Sequence, residues 1–167
     1  GTSSITTGAG DDTFTFAAGT GLTSADTVDG GTGTDTVALT GNTVFTASND
    51  FDNVKNIEGI TRGNTNTAVA ITTVDALVAS GATLTLTNAA NSGALTFIGS
   101  AETNGVFNIT GGTGNDSITG GLGNDTFTFV ATTGLTSADT VDGGTGTDTV
   151  ALTGNTVFTA SNDFDNV

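Results

Sequence analysis

The sequence predicts an all-β protein of short strands and tight turns, stacked coil upon coil. Three observations carry that expectation: a nine-residue unit that recurs in register, a composition suited to strands and turns, and a far longer repeat enclosing both. The nine-residue unit is clearest over residues 111–128, where GGTGNDSIT runs without a break into GGLGNDTFT. Each copy has the form G-G-x-G-x-D-x-(large apolar)-x. Glycine at the first, second and fourth positions permits positive φ, and so a tight turn with its carbonyls directed inward. The last three residues, Ser117-Ile118-Thr119 and Thr126-Phe127-Thr128, suit a short strand whose middle side chain faces the interior. One unit is therefore half a coil, a turn followed by a strand.

Composition agrees. Of 167 residues 26 are Gly; there is no Pro, Cys, Met, Trp, Tyr or His, and ten Phe are the only aromatics. Thr and Val in short runs punctuated by Gly favour strands. Seventeen acids face two bases, Lys55 and Arg62, for a formal charge of -15. Such a chain repels itself when compact and has no basic face for nucleic acid. Without Cys, disulfides and thiolate metal sites are excluded. No apolar run approaches the ~20 residues of a membrane helix, and no secretory leader is visible at Gly1, where the chain begins inside a repeat. The placement of the acids says more than their number. Asp holds the sixth position of the unit, within a Gly-rich turn, and brings a hard carboxylate oxygen of the kind Ca²⁺ prefers. The charge is read as one that several bound divalent cations neutralise.

The longer repeat is literal. Residues 21–54 recur letter for letter as residues 134–167, an offset of 113 residues (134 less 21), and the match continues upstream in looser form. The chain is read as about one and a half copies of a unit from a longer array, in which each unit stacks on its neighbours. It divides into residues 1–38 (turn-and-strand units), 39–110 (a β-rich stretch without them), 111–151 (units again) and 152–167 (the start of another β-rich stretch).

Taken in order from Gly111, two clean units come first. Residues 129–133 then insert five residues. Residues 134–142 form a degenerate unit that keeps Gly134, Asp139 and Val141, and residues 143–151 are clean again. Asp116, Asp125, Asp139 and Asp148 are the sixth-position acids, with Ile118, Phe127, Val141 and Val150 stacked inside. The earlier copy has Ser3, Asp12, Asp26 and Asp35 over Ile5, Phe14, Val28 and Val37; Ser3 brings no carboxylate. Between the two sets, Ala68–Thr72, Thr83–Thr87, Ala94–Ile98 and Val106–Ile109 alternate apolar and polar. They are read as strands continuing the solenoid, with a small separate β-sandwich as the alternative. Residues 73–80 suit one helical turn stopped by Gly81. Asp50 and Asp52, with Asp163 and Asp165 as their copies, are candidates for a further site, and so are Asp29 and Asp142 before the Gly-Gly turns. Glu58 and Glu102 are expected in solvent or paired with Lys55 or Arg62.

These units resemble the RTX (hemolysin-type) calcium-binding repeat family, and the 113-residue layout resembles repeats of bacterial surface-layer and giant surface proteins. The resemblance implies a calcium-binding parallel β-roll whose successive turns lie on opposite edges, with Ca²⁺ held between turns n and n+2. Asp116 would then share an ion with the Asp139 turn, Asp125 with the Asp148 turn, and Asp12 with the Asp35 turn. Turn carbonyls would complete each shell, around Gly112, Gly114 and Asn115, Gly121, Gly123 and Asn124, Gly144 and Gly146, and Gly31 and Gly33. The insertion at residues 129–133 departs from the pattern and would split the stack into two short rolls if it broke it. The resemblance also implies type I secretion and an extracellular, cell-surface location.

The function expected is structural: a calcium-stiffened array in a surface layer, filament or matrix, with further copies or neighbouring repeats as partners. The alternative is the stalk or binding module of a giant adhesin that attaches to cells, glycans or ice. Glycan stacking lacks Trp and Tyr. Catalysis lacks His, Cys, Tyr and any nucleophile motif, and acids set in repeating turns suit ligation better than a paired-carboxylate hydrolase.

Overall fold

In a computed structural model, which describes residues 1–17, 21–41, 51–63, 66–130 and 133–154, the apolar position of each unit is the second residue of a strand, and no helix forms among the described residues. The strands are β1 (Ser4–Thr6), β2 (Thr13–Ala17), β3 (Thr27–Asp29), β4 (Thr36–Thr40), β5 (Val54–Lys55), β6 (Gly59–Arg62) and β7 (Val69–Thr72). They continue as β8 (Thr83–Thr87), β9 (Leu95–Ile98), β10 (Val106–Thr110), β11 (Ser117–Thr119), β12 (Thr126–Val130), β13 (Thr140–Asp142) and β14 (Thr149–Thr153). Even-numbered strands form one seven-stranded sheet. Odd-numbered strands form two, β1-β3-β5 and β7-β9-β11-β13. Neighbouring strands of the described residues pair in parallel throughout. The result is a flattened parallel β-solenoid in which each coil gives one strand to each face.

Register puts the alternation to use. Phe14, Val37, Ile60, Leu86, Ile109, Phe127 and Val150 are successive cross-strand partners along the even sheet. Ile71, Phe97, Ile118 and Val141 line up on the odd face. Because side chains alternate between faces, these ladders meet in one dry interior, while flanking Thr such as Thr13, Thr15 and Thr85 remain exposed. Ile5 partners Val28 but is 38% exposed, because β1 is the end strand of its sheet.

A second interior ladder contains a polar rung. Phe16 partners Leu39, and Leu39 partners Arg62. The half-buried guanidinium donates to Oδ1 of Asn88 and, at 2.9 Å, to the carbonyl of Thr67. Burial lowers its pKa from the ordinary arginine value, opposed by the charge on Asp116. Further along, Gly111 leaves room for Phe129: a Cβ there would collide with the ring.

Two open alternatives close in favour of a continuous solenoid, and one expectation is revised. The inserted residues do not break the stack. Phe129 and Val130 lengthen β12 to five residues, and β13 and β14 pair onward from β11 and β12; Ala131 and Thr132 lie outside the described residues. The middle stretch makes no separate sandwich, since β6, β8 and β10 belong to the same sheet as the units on either side. Residues 73–80 form turns rather than a helical turn. Leu77 N–H bonds the Val74 carbonyl, while the carbonyls of Ala76 and Leu77 accept from Asn56 and Ile57 of the preceding coil. Carbonyls directed at a neighbouring coil gain their bonds there without forming a helix nucleus, which is costly. Leu77 and Val78 fill the interior instead.

Candidate metal centre

The turns stack along two edges, and the sixth-position Asp ties each to its neighbour. Its Oδ1 accepts the backbone N–H at the equivalent position one coil earlier, 23 residues away. Ser3 donates to Asp26 at 2.7 Å, Asp12 to Asp35 at 2.9 Å, Asp116 to Asp139 at 2.6 Å and Asp125 to Asp148 at 2.9 Å. Charge-assisted bonds of this kind are among the stronger ones, and they hold successive turns in register. The spacing of 23 also exposes a member that the nonapeptide pattern misses. Glu58 lies 23 residues after Asp35 and accepts its N–H at 2.9 Å. Glu58 is therefore a rung of the ladder, not a solvated or lysine-paired acid; the salt bridge of Lys55 is with Asp29, at 3.0 Å. A search on the 23-residue spacing would have found it.

The second carboxylate oxygen divides the turns into two kinds. In residues 111–116 and 120–125, Oδ2 of Asp116 and Asp125 accepts the N–H of Gly112 and Gly121, each at 2.9 Å. Their Oδ1 atoms accept from Leu95 and Phe107. Both oxygens of each buried acid thus accept one protein donor, and burial pushes the Asp116 carboxyl above its ordinary value despite those bonds. None of the glycines in these two turns has positive φ, which revises the expectation that every unit turns that way. Asp26 and Asp139 are likewise engaged, by the N–H and hydroxyl of Thr23 and Thr136. The Thr23 hydroxyl is the main cause holding the Asp26 carboxyl below its usual range.

In residues 30–35 and 143–148 the second and fourth glycines do have positive φ: 89° and 143° at Gly31 and Gly33, 87° and 144° at Gly144 and Gly146. Here Asp29 and Asp142, the residues before the glycine pair, take the N–H of Gly31 and Gly144. Asn56 first, then Lys55, lowers the pKa of Asp29. The consequence is that Oδ2 of Asp35 is buried with no partner. The turn beneath packs its carbonyls against these glycines: a Cβ on Gly31 or Gly33 would collide with the carbonyl oxygens of Gly8 or Gly10, and one on Gly144 or Gly146 with those of Gly121 or Gly123. Asn124 accepts the N–H of Thr147, and Asn115 is exposed. Gly112 and Gly114 abut the backbone near Asn91 and Ser92. No three acids cluster as a carboxylate-only site among the described residues. Asp52 is exposed; Asp50, Asp163 and Asp165 lie outside the described residues.

A family model for the RTX calcium-binding nonapeptide repeat matches residues 1–22, 19–43, 108–129 and 133–155, more than half of the chain. The chain belongs to this RTX repeat family. Neither a curated protein nor a solved structure matches it. RTX repeats are calcium-binding, and the donors here fit that ion. Ca²⁺ takes oxygen ligands in flexible geometry, carboxylates and backbone carbonyls together, and the unpartnered Asp35 Oδ2 lies in a turn whose glycines pack against the carbonyls of Gly8 and Gly10.

Close approach of glycine to a neighbouring carbonyl makes a direct prediction. Gly146→Ala puts a side chain at φ 144° and against the Gly123 oxygen. Backbone at that φ is reached essentially by Gly alone and costs another residue roughly 1–3 kcal/mol, and the turns must also separate. Calcium affinity measured by isothermal titration is expected to fall by at least about tenfold; unchanged affinity would show that turn contact is not needed.

Proposed function

We propose that this chain is a calcium-stabilised structural segment of a secreted bacterial surface-layer, filament or matrix protein. The observation that carries the reading is the turn stack along one edge, where Asp12 and Asp35, and Asp125 and Asp148, share hydrogen bonds across coils. Ca²⁺ between such turns would be held by Asp35 and Asp148, by Asp12 and Asp125 below them, and by carbonyls of Gly8, Gly10, Gly121 and Gly123. When bound, it supplies positive charge where carboxylates would otherwise repel. Asp116 and Asp139 make a second, more fully hydrogen-bonded pairing on the other edge. No helix of the described chain is long and apolar enough to cross a membrane. RTX repeat proteins are typically secreted, and a type I route is the export path proposed for this one.

Near-identical coils serve length and stiffness better than a unique pocket, which favours structure over catalysis. Residues 39–110 are proposed as the spacer between calcium-binding segments, and neighbouring repeats as the partners. The second reading, an adhesin stalk that ends in attachment to cells, glycan or ice, uses the same stiff rod. Electron microscopy of native cell surfaces, with and without chelator, separates them. A periodic coat or bundled filaments lost on chelation is expected; isolated projecting stalks would favour the adhesin, and a coat indifferent to chelator would sink both.

A further inference from the structure

We infer that the stretch without nonapeptides carries a calcium site of its own, built on Glu102. This extends the calcium reading of the RTX turns to a loop that lacks the motif. Glu102 is fully buried, at 0% exposure. It lies in residues 99–105, GSAETNG, the turn from β9 to β10. Its Oε1 accepts the N–H groups of Asn104 at 3.0 Å and Gly105 at 2.8 Å, which fixes the carboxylate inside its own loop. Its Oε2 has no partner. Among the described residues the only other buried carboxylate oxygen in that condition is Oδ2 of Asp35, in an RTX turn. The sequence suggested a Glu102 in solvent or paired with Lys55 or Arg62; burial excludes the first, and the unpartnered Oε2 is bonded to neither base.

The surroundings are those of an RTX edge. The loop stacks directly against residues 120–125: Leu122 N–H bonds the Glu102 carbonyl at 3.2 Å. A Cβ on Gly121 would meet the carbonyl oxygens of Glu102 and Gly99 at 2.8 and 3.3 Å. On the other side Oδ1 of Asp75 accepts from Thr103 N–H at 2.8 Å and from its hydroxyl at 2.5 Å. Asp75, Glu102 and Asp125 thus bring one acid from each of three successive coils to one edge. The two bases of the chain are engaged elsewhere, Lys55 with Asp29 and Arg62 with Asn88 and Thr67. A buried carboxylate oxygen left bare is strongly unfavourable. A hard cation that accepts carboxylate and carbonyl oxygens in irregular geometry relieves it, which is the behaviour of Ca²⁺ rather than of the stricter Mg²⁺.

The test counts ions. Bound calcium per chain is measured by equilibrium dialysis and elemental analysis for the parent chain, Glu102→Gln and Asp35→Asn. Glu102→Gln keeps an acceptor for Asn104 and Gly105 and removes the charge; it is expected to bind one ion fewer. Asp35→Asn is expected to lose an ion of the RTX edge and keep the one at Glu102. If Glu102→Gln binds as many ions as the parent while Asp35→Asn binds fewer, this inference is overturned and the RTX reading stands. If the parent binds none, both fall. Should Glu102→Gln fail to fold, anomalous diffraction from parent crystals soaked in Mn²⁺ decides: a peak beside Oε2 supports the site, and none there overturns it.

Discussion

Excess chelator is expected to strip β-type circular dichroism from the RTX coils of this chain, and added Ca²⁺ to restore it. Two features set the outcome. First, carboxylates recur once per coil along one edge, at Asp12, Asp35 and Glu58 and again at Asp125 and Asp148. Neighbouring strands lie about 5 Å apart, where unit like charges repel by close to 1 kcal/mol even in water and by more as the dielectric falls. Second, the RTX coils bury little. The β3–β4 coil has Leu22, Val28, Val37 and Leu39 inside, whereas the β7–β8 coil has Val69, Ile71, Leu77, Val78, Leu84 and Leu86. Stability of a stacked array is a sum over units and their interfaces, so loss should begin where burial is least and charge greatest. Hydrogen exchange in chelator is therefore expected to accelerate first in residues 7–12, 30–35, 120–125 and 143–148, and last in β8 and β10. Uniform exchange, or a spectrum indifferent to chelator, would contradict the argument. For metal-coupled folding, ligand-binding free energy is folding free energy.

Replacing Phe107 by Ala is expected to cost about 3–5 kcal/mol, the range for a buried aromatic truncated in a core. Phe107 and Phe97 are both fully buried and meet edge to face, with centroids 5.0 Å apart and planes at 83°. Phe107 comes from the even sheet and Phe97 from the odd, so the pair bridges the two faces. Gly99 cannot close over the gap, being a glycine because the ring occupies the place of its side chain. The measurement is the urea midpoint in saturating Ca²⁺. Phe97→Ala should cost a similar amount. The double variant should cost less than both together by roughly 0.5–1.5 kcal/mol, the share due to the ring pair itself. Strict additivity would mean that the rings act independently.

The architecture was legible because the pattern of the chain is itself periodic. A single apolar residue after each Gly-rich turn, as at Ile118 and Phe127, identifies a strand and its inward face together. The role of residues 129–133 was not legible, since an insertion and a lengthened strand read alike until Phe129 is seen facing Leu152 across β12 and β14. Glu58 and Glu102 were hidden for a related reason. Neither lies in a Gly-Gly turn, so local spelling makes them ordinary surface acids, and only stacking against Asp35 and Gly121 shows otherwise. Arg62 was hidden by its type, because nothing short of cross-strand register predicts a guanidinium in an apolar ladder. The two kinds of glycine turn escaped too: GGTGND and GGTGTD are nearly one motif, yet Asp142 before the second redirects the Gly144 N–H and with it the free carboxylate oxygen.

The odd-numbered face is divided between β5 and β7, while the even-numbered face runs unbroken from β2 to β14. Mechanically this is a notched beam. Pulled along its axis, the seamless side bears tension through consecutive strand ladders, whereas the notch is bridged by turn bonds from Asn56 and Ile57 to the carbonyls of Ala76 and Leu77 instead of by a ladder. Flexure should concentrate there, and a polymer with this motif every 113 residues would behave as linked stiff segments with evenly placed joints rather than as one uniform rod.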